Sequence, residues 1–253
     1  MNSIKKLIKL TVIPTSLGLS IIGSLPKVGI AESPIAGKFQ NWQISQNFVP
    51  PNRKAPSTTA GGGSRGDFCN LGSKETLTPL IPPNKLGLTF AERPTFYWFV
   101  PQIPVQNAHF SLLDEKGIVY STTFRLPNQP GIVGFTLPAK APSLKVGKQY
   151  RWYMAIACSS EETEKEASVD GWVERIQPTR ALSKQLASTN PKQLSQVYAK
   201  AGIWHEALHT LVQQRLINPS DRTVMANWQV FLESVGLKNL VPQLLTSTTT
   251  QSQ

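Results

Sequence analysis

Between Leu77 and Ile176 the apolar residues recur with period two in short runs punctuated by proline and glycine, and after Pro178 the period lengthens to that of a helix. The first pattern predicts strands. Thr95 to Val100 (Thr-Phe-Tyr-Trp-Phe-Val) is apolar on both faces between Pro94 and Pro101, the mark of a central strand. Ala108, Phe110 and Leu112 alternate next. Asp114-Glu115-Lys116-Gly117 supplies a turn, and Ile118, Tyr120, Thr122, Phe124 and Leu126 line one face of a returning strand, which makes a hairpin. Val133, Phe135 and Leu137 predict another strand. Tyr150, Trp152, Met154, Ile156 and Cys158 give the clearest alternation in the chain, and Val169 to Ile176 closes the domain. About seven strands in roughly a hundred residues fit an immunoglobulin-like or fibronectin-like β-sandwich over 67–177, with a small barrel as the competing architecture.

The second pattern predicts helices over 181–246. Leu194, Val197 and Tyr198 form one stripe, Gly202 interrupts, and Trp204, Ala207, Leu208, Leu211 and Arg215 form a second, so two antiparallel helices follow the sandwich as a hairpin. A further helix is expected from Thr223 to Val235. The segment Tyr198 to Asp221 resembles a tetratricopeptide unit, and Gly236 falls 34 residues after Gly202, the period of that repeat. About one and a half units are too few for a solenoid.

Both ends lie outside this folded region. Lys5, Lys6 and Lys9 precede an apolar run from Leu10 to Leu25, and small residues follow at Gly29 and Ala31, so residues 1–31 read as a secretory signal peptide. Pro14 and the shortness of the run argue against a stable membrane span. Residues 32–66, with four prolines, a Ser-Thr-Thr run and Gly61-Gly62-Gly63, read as a flexible linker, and 247–253 as a disordered tail. The glycines of GGGSRG lack the flanking strand and helix that a phosphate loop needs.

Export changes how charge and cysteine are read. The chain carries a net charge of +11; without the four leader lysines, 22 basic face 15 acidic side chains, leaving +7. These charges are scattered, and an exported protein meets anionic polysaccharide, lipid headgroups or acidic proteins rather than nucleic acid. Cys69 and Cys158 are the only cysteines and are expected to form a disulfide, since an even pair in an oxidising compartment is usually bridged. Closing an 89-residue loop would stabilise the fold by at most about 4 to 5 kcal/mol.

One string suggests catalysis. His205-Glu206-Ala207-Leu208-His209 spells HExxH, in which two histidines one turn apart hold zinc and the glutamate activates a water. Val212 and Arg215 stand where the extended motif needs glycine and histidine, and only Glu233 or Asp221 offers a downstream acidic ligand. At a hundred degrees per residue the apolar centre of this helix lies near Leu211, Trp204 and Arg215, which sends His205 and especially His209 toward solvent. No metal, cofactor or catalytic residue is assigned on this reading, and exchanging both histidines for alanine is expected to leave the fold intact. No serine lies in GxSxG, and His109 falls on a strand with no convincing serine and acid partners. Tyr97, Trp98, Phe99, Trp152, Tyr153 and Trp172 could stack on sugars, though such strand aromatics more often fill a core.

The blocks GGGSRG before a cysteine, LTPLIP, GLTFAERPTFYWFVP, FSLLDEKGIVYSTTF, PGIVGFTLP, GKQYRWYMAIAC, GWVERI and AGIWHEAL occur in this order over roughly residues 50 to 240. Together they resemble an exported cyanobacterial family, domain of unknown function nine-two-eight. The resemblance implies export, supplies no catalytic residue, and implies an aromatic at position 205 with no fixed histidine at 209. It also points to partners in the cell envelope. The expectation is therefore an exported, non-enzymatic interaction module, periplasmic or at the cell surface, with an envelope protein as partner. A small zinc peptidase using His205, His209 and Glu206, or a glycan-binding sandwich, are the alternatives.

Overall fold

A computed structural model describes residues 46–56, 75–104, 106–157 and 166–246. The expected signal peptide, both cysteines of the expected disulfide and the 247–253 tail lie outside these residues. Among the described residues, eight strands form two sheets. β1 (Thr78–Pro79), β3 (Thr95–Val100) and β6 (Gly131–Thr136) make an antiparallel sheet in the order β1-β3-β6. β2 (Leu86–Thr89), β4 (Asn107–Asp114), β5 (Gly117–Arg125), β7 (Gln149–Ala157) and β8 (Glu166–Arg175) make the other, ordered β2-β8-β7-β4-β5, with β2 parallel to β8. Four helices follow: α1 (Arg180–Ser188), α2 (Leu194–Lys200), α3 (Trp204–Ile217) and α4 (Arg222–Ser234). Among the described residues no helix is long and apolar enough to cross a membrane.

The double apolar face of β3 has a simple cause, because this strand separates two cores. Phe96, Trp98 and Val100 point into the sandwich, where Phe110 and Phe135 lie 4.8 Å apart and Trp98 meets Trp152 at 5.7 Å. Tyr97 and Phe99 point the other way, into a second core shared with Trp204, Leu208, Leu211, Trp228 and Phe231. Burying one such aromatic is worth on the order of 2 to 3 kcal/mol, so the helices are fastened to the sandwich by area as well as by bonds. β7 alternates as its sequence predicts: Tyr150, Trp152, Met154 and Ile156 are buried and their neighbours half-buried. Trp152 lies so close to β8 that a Cβ on Gly171 would stand 2.4 Å from its ring, so only glycine fits there.

Two local expectations fail. In the hairpin, Leu112 pairs with Tyr120 but Leu113 pairs with Ile118, so Val119 is an extra residue in β5. The bulge turns Ile118 off the Tyr120 face, and it is 66% exposed. The second failure concerns the expected linker, whose described residues, 46–56, are built into the fold. Gln46 is fully buried and donates to Ser195 Oγ at 3.2 Å; Phe48 stands edge-on to Trp204 at 4.9 Å. Val49 N–H donates to Ala199 O, and Arg53 pairs with the buried carboxylate of Glu174. Prolines here hold an extended strap rather than a loose tether. Gly202, at φ +73°, breaks α2 from α3 where a Cβ would come within 2.9 Å of Val49 O, so the strap and the helix break require one another.

α4 begins where Asp221 accepts hydrogen bonds from Thr223 and Val224 N–H, one residue before the position expected. The chain then returns to the sandwich: Ile132 N–H donates to Leu244 O (2.7 Å) and Thr246 N–H to Ile132 O (3.0 Å), which covers the edge of β6.

Candidate functional site

The three-stranded sheet is narrower than the five-stranded one, and the N-terminal turn of α3 meets both where they part: β2 on one side and β3 on the other. That turn carries His205-Glu206-Ala207-Leu208-His209. The expected solvent flank is therefore an inner surface, and α3 is packed on nearly all sides of its first two turns. The periodicity argument fails here because the apolar stripe faces the other helices while the polar flank faces a second structure, the sandwich.

His205 is 6% exposed. Its Nδ1 lies 3.0 Å from the Thr95 carbonyl, which can only accept, so Nδ1 carries the hydrogen. The ring stands edge-on to Phe96 at 5.2 Å. Burial pulls its pKa down to about 4, against the opposing effect of the Thr95 bond, so the imidazole is neutral at pH 7. Its Nε2 finds no partner among the described residues and is aimed at β2, where a Cβ on Gly87 would stand 2.6 Å away. In position and packing His205 behaves as a core aromatic.

Glu206 closes the turn after β2. Its Oε1 accepts from Thr89 Oγ1 (2.8 Å), Phe90 N–H (2.8 Å) and Ala91 N–H (3.0 Å). Burial raises its pKa above the usual carboxyl value, and these three donors oppose the rise. Oε2 is buried without a partner among the described residues. His209, one turn on, is half-buried; its Nδ1 shares a hydrogen with Tyr97 Oη at 2.7 Å, and burial pulls its pKa below the ordinary value. Burial also pushes the Tyr97 phenol well up, against a hydrogen bond from the Gln213 amide.

Beside these side chains lies a cleft of about 330 Å³, lined by Thr89, Ala91, Pro94, Thr95 and Thr136 as well as the three motif residues. Arg93 borders it, but its guanidinium is engaged by the carbonyls of Pro138, Ala139 and Ala141. The motif is thus dispersed in its bonding: one histidine nitrogen faces β2, the other histidine is tied to a phenol, and one oxygen of the glutamate serves the hydroxyl and N–H groups of the Thr89–Ala91 turn. Among the described residues no three histidine, cysteine or acidic side chains converge to hold a metal. Asp221 caps α4, and Glu233 accepts from Gln229 on the same helix, so neither joins the histidines.

Elsewhere, Tyr97, Trp98, Phe99 and Trp152 are core residues, 0 to 4% exposed. Trp172 packs half-buried against Leu86 and Ile203, and Tyr153 lies under the Arg151 guanidinium at 4.5 Å. The six aromatics form no common platform. His109 stands on β4, its Nε2 bridging Ser121 Oγ (2.9 Å) and Ser111 Oγ (3.1 Å). Sequence reasoning missed Thr89, Tyr97 and the Phe90–Ala91 backbone as partners of the motif; the unbroken run GLTFAERPTFYWFVP, which carries them all, is the signal that could have shown them.

A β-sandwich with a helical layer locked onto it by a buried polar joint is the class of protein this geometry defines. The chain belongs to the family described as Domain of Unknown Function (DUF928), whose model matches residues 60–245. No curated protein matches the chain.

Proposed function

We propose that this chain is an exported, non-enzymatic protein-interaction module of the cell envelope, periplasmic or at the surface of a cyanobacterial cell, with the sandwich as scaffold and a tetratricopeptide-like helical layer offering the contact surface. The carrying observation is the engagement of the HExxH side chains. Glu206 Oε1 serves the Thr89–Ala91 turn, His209 Nδ1 is tied to the Tyr97 phenol, and Nε2 of His205, the nitrogen left after the Thr95 bond, is aimed at Gly87 in β2, so the groups are used between the layers. A buried joint of this kind holds two layers in fixed relation, which an interaction scaffold requires. The outer side of the helical layer adds support: Leu216, Ile217 and Met225 are 40, 73 and 51% exposed. Such side chains near the α3–α4 turn suit a protein contact.

The test couples zinc analysis of the purified mature chain with affinity capture from envelope extract by the wild type and by Ile217→Asp/Met225→Asp. The expected result is substoichiometric zinc and a captured envelope protein lost in the double variant. One zinc per chain that His209→Gln abolishes, together with peptide hydrolysis, overturns the reading.

A further inference from the structure

The sheets have four lateral edges, of which two are bordered by other segments and one is very short. Leu244–Thr246 covers β6, α3 borders β2, and β1 is two residues long. β5 differs: it runs nine residues, pairs only with β4 among the described residues, and no backbone hydrogen bond from another described segment reaches its outer edge. Exposed edges are ordinarily guarded by lysine, proline or an inward-pointing charge. β5 reads Gly-Ile-Val-Tyr-Ser-Thr-Thr-Phe-Arg, with one charge at its last position. The bulge at Val119 disturbs only its start, leaving Tyr120 to Arg125 in regular register with β4.

We propose that this edge pairs, antiparallel, with the same edge of a second copy of the chain, about a twofold axis through Thr122. Directly opposed residues must share a face of the sheet, so the axis passes through a residue. Centred on Thr122, the pairing sets Tyr120 against the partner's Phe124, Ser121 against the partner's Thr123, and Thr122 against the partner's Thr122. Aromatic and hydroxyl pairs of this kind stabilise sheets. Tyr120 Oη, buried without a partner among the described residues, belongs to this edge strand.

Charge selects the direction. Antiparallel pairing keeps the two Arg125 side chains apart, six residues or about 20 Å along the ladder. It sends each toward the partner's hairpin tip, where the Glu115 side chain remains 63% exposed although Lys148 holds it. Parallel pairing would stack arginine on arginine and glutamate on glutamate. An edge of this length makes a small interface, so the association belongs to the weak, micromolar class. The pairing does not depend on the envelope-partner reading and calls for no metal.

Sedimentation velocity of the mature chain across about 1 to 300 μM tests the proposal. Ser121 and Thr123 are exposed, and His109 keeps Ser111 Oγ at 3.1 Å when the Ser121 hydroxyl is replaced, so charges there should leave the fold intact, which near-ultraviolet circular dichroism checks. Wild type should dimerise with concentration. Ser121→Lys/Thr123→Lys, which opposes like charges twice, should weaken the dimer at least about tenfold, and Ser121→Glu/Thr123→Lys, which opposes unlike charges, should restore or exceed it. A wild type monomeric throughout overturns the proposal, as does a dimer indifferent to both variants. Slow amide exchange of Tyr120 to Arg125 in a monomer would show that the chain's own residues cover the edge, with the same consequence.

Discussion

The two cores treat the same side chain in opposite ways. In the sandwich, Trp98 and Trp152 are buried with indole N–H groups that find no partner among the described residues. In the helical layer, Trp204 donates to Leu80 O at 3.0 Å and Trp228 to Val241 O at 3.2 Å. Inside a sandwich the sheet carbonyls are already committed to ladder bonds, so an indole there contributes area and contacts alone. Where helices meet loops, carbonyls are left over, and each indole fixes a direction as well as filling space. Stability in the sandwich is therefore spread over many contacts, while at the junction a few directional bonds carry it.

Glu206→Ala gives the largest contrast. It strands Phe90 N–H and the Thr89 hydroxyl, while Ala91 N–H keeps Thr89 Oγ1 as an acceptor at 3.0 Å; at about 1 to 3 kcal/mol for each stranded group, the expected loss is about 3 kcal/mol. Hydrogen exchange should show α3 opening first while β4 and β7 keep their protection. Equal loss of protection in both regions would dissolve the distinction.

Acid should act on the junction in the same selective way. His205 has a folded pKa of about 4 against 6.5 unfolded, so its contribution is complete above pH 6.5 and is lost as pH falls toward 4. At pH 4 the loss is on the order of 3 kcal/mol. Glu206 acts with the opposite sign: its raised pKa adds stability on the acid side and removes it as pH climbs through that raised value. Denaturant titrations from pH 7 to pH 4 should reveal the histidine loss, and His205→Phe should flatten it. An unchanged acid slope in that variant would place the titration elsewhere.

Indole truncation sharpens the comparison of the cores themselves. Trp204→Phe deprives Leu80 O of its donor, whereas Trp98→Phe removes an unpartnered one, so the first should cost about 1 to 2 kcal/mol more in chemical denaturation. The smallest effect belongs to the bulge: Ile118→Thr should alter stability by less than about 0.5 kcal/mol, because the side chain is 66% exposed. A loss of 2 kcal/mol or more would mean that Ile118 faces the core after all.

Much of this was legible in the residues. The strands at 95–100 and 150–157, the helix break at Gly202 and the apolar stripe of α3 follow from periodicity and from the conformational freedom of glycine, both properties of a few neighbouring positions. The strap at 46–53 was misread because its prolines and polar residues are those of a linker; Phe48 and Gln46 are buried only because the groove between α2, α3 and α4 lies beneath them. His205 and His209 were misplaced for a related reason. A helical wheel knows one apolar direction, and α3 has two neighbours.

By itself the sequence determined that strands precede helices, the double apolar face of β3 and the family of the chain, because each depends on local pattern or on blocks in succession. Only the tertiary structure decided what HExxH is. Three donors of the Thr89–Ala91 turn meet Glu206 across more than a hundred residues of chain, and the Thr95 carbonyl reaches His205 across a similar span. A motif records which groups are one helical turn apart, while the partners those groups bond are set by whichever distant backbone the fold brings beside them.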